Sequence, residues 1–288
     1  MSTLENVDLR AGDGGLGVLA FRGPDAARFL QGQLSADVEN LASGASTLAG
    51  LHNPQGRAIA LLTLARLSPE DIFAVLPREL LATVTGKLRK FVFRAKVRIE
   101  ESTLQPIGAP AGGDPHGSYA FRWGDRQLLL AAREIECAGD VSSWHLADLR
   151  QGFPQVYAAT SEAFVAQMLN LDLLGAVAFD KGCYTGQEVI ARAHYRGRVK
   201  RRLQRWLNAT GTELKPGDTA RGPDGRSLAV VRVARVESGQ EILAVGAFGP
   251  ATAAAETRAP GAEVADTGAT ESAVAVEGPL PLPYSLPE

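Results

Sequence analysis

The sequence predicts an α+β protein of two or three subdomains ending in a small antiparallel β-barrel. Three observations carry this. Apolar runs and helically spaced apolar positions alternate up to about residue 200. From Leu203 onward the text turns to strands (LQRWL, SLAVVRVARV, EILAVGAF), with turn signals at Lys215-Pro216-Gly217-Asp218 and Pro223-Asp224-Gly225. A chain of 288 residues also exceeds one typical core.

The elements follow in order. Gly17–Phe21 (GVLAF) reads as a strand, and Gly23-Pro24-Asp25 opens a helix with Ala26, Phe29, Leu30 and Gln33 on one face. Ala58–Leu67 is a continuous apolar run, hence a buried strand, and Ile72–Leu76 is another. Pro77 introduces a helix with Leu80, Leu81, Val84, Leu88 and Phe91 at helical spacing, and Val92–Glu100 alternates like a strand with one exposed face. QPIGAPAGGDPHGS (105–118) reads as a loop, and Leu128–Ala132 resumes as a strand. Ser161–Leu174 carries Phe164, Val165, Met168, Leu169 and Leu171 on a helical face, best read as core. The expected boundaries are 1–104, 105–200, and a barrel from 201–250 and 271–288. Residues 251–270, rich in Ala, Thr, Gly and Pro, make a linker.

Composition narrows the function classes. Apolar residues make up 45% and charged residues 22%, ordinary for a globular protein, and a net charge of −2 gives no whole-chain pull toward nucleic acid or membrane. Two cysteines far apart, Cys137 and Cys183, form no disulfide framework and suit a reducing compartment. The N-terminus lacks a signal-peptide pattern and no uncharged apolar run reaches membrane-spanning length. A soluble, cytoplasmic protein is expected.

The most informative segment is KGCYTGQE, Lys181–Glu188. Thr185 and Glu188 fit a capping box, which places Cys183 just outside the positive end of a helix and two residues from an ammonium group. A thiol in such a place ionises more easily, which suits a redox-sensitive or ligand-exchanging group; the alternative is a small buried loop residue. Two cysteines are too few for the four thiolates that a [4Fe–4S] cluster normally takes, and the four histidines show no metal-ligand spacing, so no metal is expected on this chain alone.

KGCYTGQE resembles the signature of the YgfZ family of folate-binding proteins, relatives of the aminomethyltransferase (T-protein) of glycine cleavage. FLQGQLSADV (Phe29–Val38), HNPQGR (His52–Arg57), LRQGFP (Leu149–Pro154), MLNL (Met168–Leu171) and the ending PLPYSLPE follow in the family's order. The resemblance implies an aminomethyltransferase-like fold, with mixed subdomains around a central cleft for tetrahydrofolate or a derivative. Cys183 and Lys181 are expected at its mouth as the functional thiol and its neighbour. The implied folate-binding set is Trp144, Gln33, Asn53, Arg150, Gln151, Tyr184, Gln187, Glu188 and Arg192. Trp144 and, less favoured, Trp123 offer a flat ring to stack on a pterin, or pack the core. Gln31, Gln33 and Asn53 offer amides that read a pterin edge or cap local backbone.

Four departures accompany the resemblance. The middle segment is shortened, and Leu16 stands where relatives have a second tryptophan. Ala58–Leu62 (AIALL) stands where aminomethyltransferases carry an acidic pair, which leaves aminomethyl transfer without an evident general acid or base. Arg150-Gln151-Gly152 stands where the transferase has Glu-Ala-Gly, and arginine cannot accept the pterin's hydrogen bond. The implied function is therefore a folate-binding accessory protein serving iron–sulfur client or assembly proteins, including tRNA-modifying enzymes. Two alternatives stand beside it. One is a folate-dependent one-carbon transferase. The other is a tRNA-binding module using the basic block Arg192, Arg196, Arg198, Lys200, Arg201, Arg202 and Arg205, which otherwise is a solvated face or a counter-charge for folate's glutamate tail.

Overall fold

The computed structural model describes residues 5–12, 14–113, 115, 117–197, 199–248 and 273–287. The linker expected at 251–270 and Arg198 lie outside them. Three sheets organise the rest. The first has five strands in the order β3 (Ser46–His52), β4 (Ala58–Arg66), β5 (Asp71–Pro77), β2 (Leu16–Arg22) and β6 (Arg98–Glu101), each antiparallel to its neighbours. Alternate residues of β2 enter different cores. Leu19 and Phe21 join the main core under helices α1 (Ala26–Gln31) and α2 (Leu81–Arg89), while Val18 and Ala20 join a second core. A sheet covered on both faces needs apolar residues on both, which is why β4 reads as an unbroken apolar run.

The second sheet has the order β1 (Val7–Asp8), β7 (Gln105–Pro110), β9 (Arg126–Ala131) and β8 (Tyr119–Trp123), all antiparallel. The first strand of the chain thus belongs to it rather than to the sheet that follows in sequence. Its Phe121, Leu128 and Leu130 meet Val18, Phe73 and Val75 of the first sheet in the second core. Helix α3 (Val141–Arg150) starts at Asp140, whose carboxylate accepts from Ser142 N–H at 3.0 Å, and packs between this sheet and the third.

The third sheet has the order β14 (Val274–Ala275), β11 (Thr219–Arg221), β12 (Ser227–Val236), β13 (Gly239–Ala247), β10 (Arg201–Asn208) and β15 (Glu277–Leu280). Its two edge strands flank buried Val276, so the C-terminal segment crosses from one edge to the other. The sheet curls around Trp206, Leu228, Val230, Ile242 and Val276 as the expected barrel would, except that β11 and β14 pair in parallel. No helix among the described residues is long and apolar enough to cross a membrane.

Local expectations are corrected at four places. Gln105–Pro110, expected within a loop, is strand β7, because its backbone pairs with β1 and β9 on either side. Ser161–Leu174 is not a helix: only Ala166–Leu169 forms a 3-10 turn. The chain here pairs with the start of β4 instead, through Ala58 N–H to Phe164 O at 2.8 Å and Glu162 N–H to Ala58 O at 2.8 Å, and Glu162 and Asn170 take left-handed φ values of 62° and 57°. Tertiary pairing overrides the apolar period. Within Val92–Glu100 only Arg98 onward is strand, because residues 90–97 make the turn out of α2. Helix α4 (Gln187–Arg196) starts from Gly186, without the Thr185–Glu188 capping box.

Candidate functional site

Three of the segments quoted above meet around Cys183. The Lys181 ammonium donates to the carbonyls of Gln31, Leu34 and Ala36 at 2.7, 2.6 and 2.8 Å. All three of its donors are spent on that turn, so the ammonium anchors the segment to it. Burial pushes the ammonium down to about 8, against the opposing pull of Asp37 and Glu39. The nitrogen also lies 5.0 Å from the centre of the Tyr184 ring. Tyr184 is buried, and that burial pushes its phenol up to about 12.

Gly186 fixes the other end. Its φ is +83°, and an added Cβ would lie 2.5 Å from Asn53 O. Only glycine lets the chain start α4 so close to the 53–57 turn, and this left-handed residue at the cap displaces the capping box. The turn is itself tied. Asn53 Oδ1 accepts from Gln55 and Arg57 N–H, both at 3.0 Å, and its Nδ2 donates to Glu162 at 2.8 Å. Gln31 Oε1 caps Val38 N–H at 2.7 Å and Glu39 N–H at 3.2 Å. Of the two readings offered for these amides, backbone capping describes Gln31 and Asn53. Cys183 sits exposed between the two fixed ends. Beneath them His52 is 1% exposed with neither ring nitrogen hydrogen-bonded, and burial pushes it down to about 4.

A separate cavity opens where the three sheets converge. Its outer part, about 450 Å³, is lined among others by Glu79 from the first sheet's side, Val141 and His145 of α3, Tyr157, and Lys215 and Arg235 from the third sheet's side. His145 and Tyr157 continue into an inner chamber of about 30 Å³ with Leu16, Trp123, Trp144, Asp148 and Arg232. None of Lys181–Glu188 lines either part, so the cysteine segment is not the mouth of this cavity.

Asp148 organises the inner chamber. It accepts from Trp123 Nε1 at 2.9 Å, Arg126 Nη2 at 2.7 Å and Arg232 Nη2 at 2.9 Å. The pairs draw on the second sheet, α3 and the third sheet. Burial pushes the carboxyl up, but the two guanidinium groups outweigh it and hold it below the usual range. Arg126 also pairs with Asp125 at 3.2 Å, so two guanidinium groups meet two carboxylates, and Arg232 Nε has no acceptor. His145 is pushed down to about 4 by burial and by Arg232, so it is neutral at pH 7 and faces the cavity without a hydrogen bond to any described residue. Arg126 lies 4.1 Å over the Trp144 ring, and a Cβ on Gly108 would approach that ring to 2.3 Å. Trp144 therefore lines the chamber as a core residue with one face already taken by a cation.

The remaining expected residues are dispersed. Arg150 pairs with Glu241 at 2.6 Å, so its guanidinium has a partner within this chain. Gln151 caps the end of α3, and Gln33 is half-buried in the turn after α1. Gln187, Glu188 and Arg192 lie on the first turns of α4, with Glu188 and Arg192 exposed. The basic block is not one face. Arg202 is buried against Asp172 at 2.9 Å, Arg205 lies 3.6 Å from Glu241, and Arg201 donates to Val245 O. Arg192, Arg196 and Lys200 remain exposed. Sequence reading missed Arg126, Asp148, His145, Tyr157 and Arg232. Asp148 one turn after Trp144 was a usable signal, and so was an arginine inside the apolar run SLAVVRVARV.

Two further quoted segments meet at the ending. Tyr284 Oη donates to Gly152 O at 3.1 Å and accepts from Asn170 Nδ2 at 3.3 Å, joining LRQGFP, MLNL and PLPYSLPE. No family model matches the chain. The tRNA-modifying protein YgfZ of Edwardsiella ictaluri is 31% identical over 74% of this chain and 77% of its own length. That of Klebsiella pneumoniae is 30% identical over 77% and 80%. The crystal structure of the glycine cleavage system aminomethyltransferase T from Bartonella henselae superposes with a TM-score of 0.64 at 14% identity, covering 85% of this chain and 78% of that one, so the fold is shared. With this identity spread over most of both lengths, the chain belongs to the YgfZ family.

Proposed function

We propose that this chain is a cytoplasmic folate-binding accessory protein that supports iron–sulfur enzymes, including those that modify tRNA. The observation that carries this reading is the cavity between the three sheets, ligand-sized at about 450 Å³, with His145 and Tyr157 on its wall. Its dimensions suit a bicyclic pterin in the outer part, whereas the inner chamber of about 30 Å³ admits little more than a water. Hence His145 and Tyr157, rather than Trp144, are the groups that would meet the ring. His145 can donate from one nitrogen and accept at the other, as a pterin edge requires. Bound tetrahydrofolate would supply a reduced pterin that carries one-carbon units.

Aminomethyl transfer is the weaker reading. The three carboxylates lining the cavity are all engaged: Glu79 with Ala158 N–H at 2.7 Å, Glu213 with Arg235, and Asp148 with its three donors. None is free to take a proton from an amine. On this reading the exposed Cys183, held between two fixed ends, would meet a partner's cluster or an oxidised adduct. Two cysteines are too few for the four thiolates that a [4Fe–4S] cluster normally takes, so on this reading the cluster belongs to a partner.

Titration with tetrahydrofolate tests the reading. Heat uptake with quenching of tryptophan fluorescence is expected, and neither would occur if the cavity holds no folate. Cys183→Ala should keep folate affinity and folding but fail to restore iron–sulfur enzyme activity in a deletion strain. Full rescue would retire the thiol's role.

A further inference from the structure

The segment KLRKFVFRAK, residues 87–96, serves neither the cavity nor the cysteine. It holds five cations and no acid. Val92, Ala95 and Val97 pack against the main core, while Phe91 and Phe93 project outward and are 55% and 90% exposed. A phenylalanine left in water forfeits the gain that burial brings, so two together on one short turn call for a covering partner. The backbone that presents them is fixed. Val92 N–H meets Arg89 O at 3.2 Å, Phe93 N–H meets Phe91 O at 3.0 Å, and Lys96 N–H meets the Asp25 carboxylate at 2.6 Å. Lys90, Arg94 and Lys96 are exposed and make no ion pair with any described residue. Lys87 pairs with Glu162, and Arg89 donates to Ile99 O, so these two are committed.

Rings held outward on a rigid turn, with a free cation within one or two residues of each, match a single strand of nucleic acid. Bases stack on the rings and phosphates meet the cations. A lipid surface asks for a continuous apolar face, whereas here Val92 between the rings packs against the core and cations flank the pair. The Arg192–Arg205 block lacks this arrangement, since Arg202 and Arg205 are held in ion pairs. We propose that the 90–96 turn is a docking site for single-stranded nucleic acid, such as the unpaired loop of a folded RNA. This site is independent of folate.

The test is fluorescence anisotropy of the full chain with a short labelled unstructured oligonucleotide, as RNA and as DNA. Phe93→Ala should weaken binding roughly tenfold, and the Phe91→Ala/Phe93→Ala pair further. The logarithmic salt slope should be about −2, for three phosphate contacts, and should flatten when Lys90, Arg94 and Lys96 become alanine. Arg192→Ala/Arg196→Ala should change affinity less than about twofold, well below the effect of one stacking ring. Melting temperature and folate quenching should be unchanged in the phenylalanine variants, which separates a docking defect from a folding defect or a failure of the folate reading. The proposal is overturned if the wild type binds no oligonucleotide, or if the phenylalanine pair binds as the wild type does. It also falls if affinity is lost only with Arg192 and Arg196, or if the turn binds only vesicles of phosphatidylcholine and phosphatidylserine.

Discussion

Asp148→Asn should be among the most damaging conservative substitutions in this chain. The side chain keeps its size but loses its charge, and two arginines that are 3% and 5% exposed keep theirs. Removing one partner of a buried ion pair costs about 3–5 kcal/mol, because the orphaned charge stays buried. Here one carboxylate serves Arg126, Arg232 and Trp123 together, while Arg126 keeps a second partner in Asp125, so a loss within that range is expected. For a chain this long that is a fall in melting temperature of roughly 6–12 °C. The pH dependence has a definite sign. The folded carboxyl ionises below the usual carboxylate range, so its contribution is complete above that range and is lost as pH falls through the folded value. Urea unfolding across pH 3–7 measures both effects, and the variant should show the flatter acid limb. Adding Arg232→Met should recover part of the loss, since it removes one orphaned charge. A loss under about 1 kcal/mol, or a second substitution that simply adds its own cost, would show that Asp148 does not hold the three layers together.

Further outcomes follow from the surroundings of the cysteine. His52 is held neutral, about 4 when folded against 6.5 when free, so wild-type stability should fall as pH drops from 6.5 to 4. His52→Met should remove up to about 3 kcal/mol of that fall, and matching acid limbs for the two proteins would refute it. Lys181→Met strips three carbonyls of their donor and should cost about 2 kcal/mol in urea unfolding, whereas a purely electrostatic lysine would cost far less. Gly108→Ala pushes a methyl into the Trp144 ring and should cost about 1–3 kcal/mol with a shifted tryptophan emission.

The sequence made the sheets legible because burial on two faces leaves an unmistakable run, as in Ala58–Arg66, and alternation marks the third sheet. It misled where tertiary partners overrule local pattern. Phe164, Met168 and Leu171 keep helical spacing, yet their segment hydrogen-bonds to β4. Thr185 and Glu188 spell a capping box, yet the adjacent glycine must pass the Asn53 carbonyl. The site was only partly legible for a related reason. Sequence reading finds residues whose chemistry is unusual in context, such as a cysteine beside a lysine. It does not find a carboxylate like Asp148, whose meaning comes from Trp123, Arg126 and Arg232 brought from distant strands. Arg150 shows the converse: at the end of α3 it reads as a mismatch to the implied pterin contact, and its partner Glu241 comes from β13.

The quoted segments sort by contact into two groups. Phe29–Val38, His52–Arg57 and Lys181–Glu188 enclose the cysteine, while Leu149–Pro154, Met168–Leu171 and the ending meet at Tyr284. This separates two roles inside KGCYTGQE. Lys181, Tyr184 and Gly186 hold the segment, and Cys183 is the residue left outside. Gly186→Ala and Cys183→Ala should therefore behave oppositely. At Gly186 the left-handed backbone costs an alanine about 1–2 kcal/mol, and the 2.5 Å approach to Asn53 O forces the 53–57 turn to move as well, for a total above about 2 kcal/mol. At Cys183 an exposed side chain is lost, with a change within about 0.5 kcal/mol. Urea unfolding measures the difference, and alkylation of Cys183 reports on the segment itself: its rate should change in Gly186→Ala while distant Cys137 reacts as before. An alanine at Gly186 that left both stability and Cys183 reactivity untouched would mean that the segment is not held from this end, and that the exposed thiol owes its position to Lys181 alone.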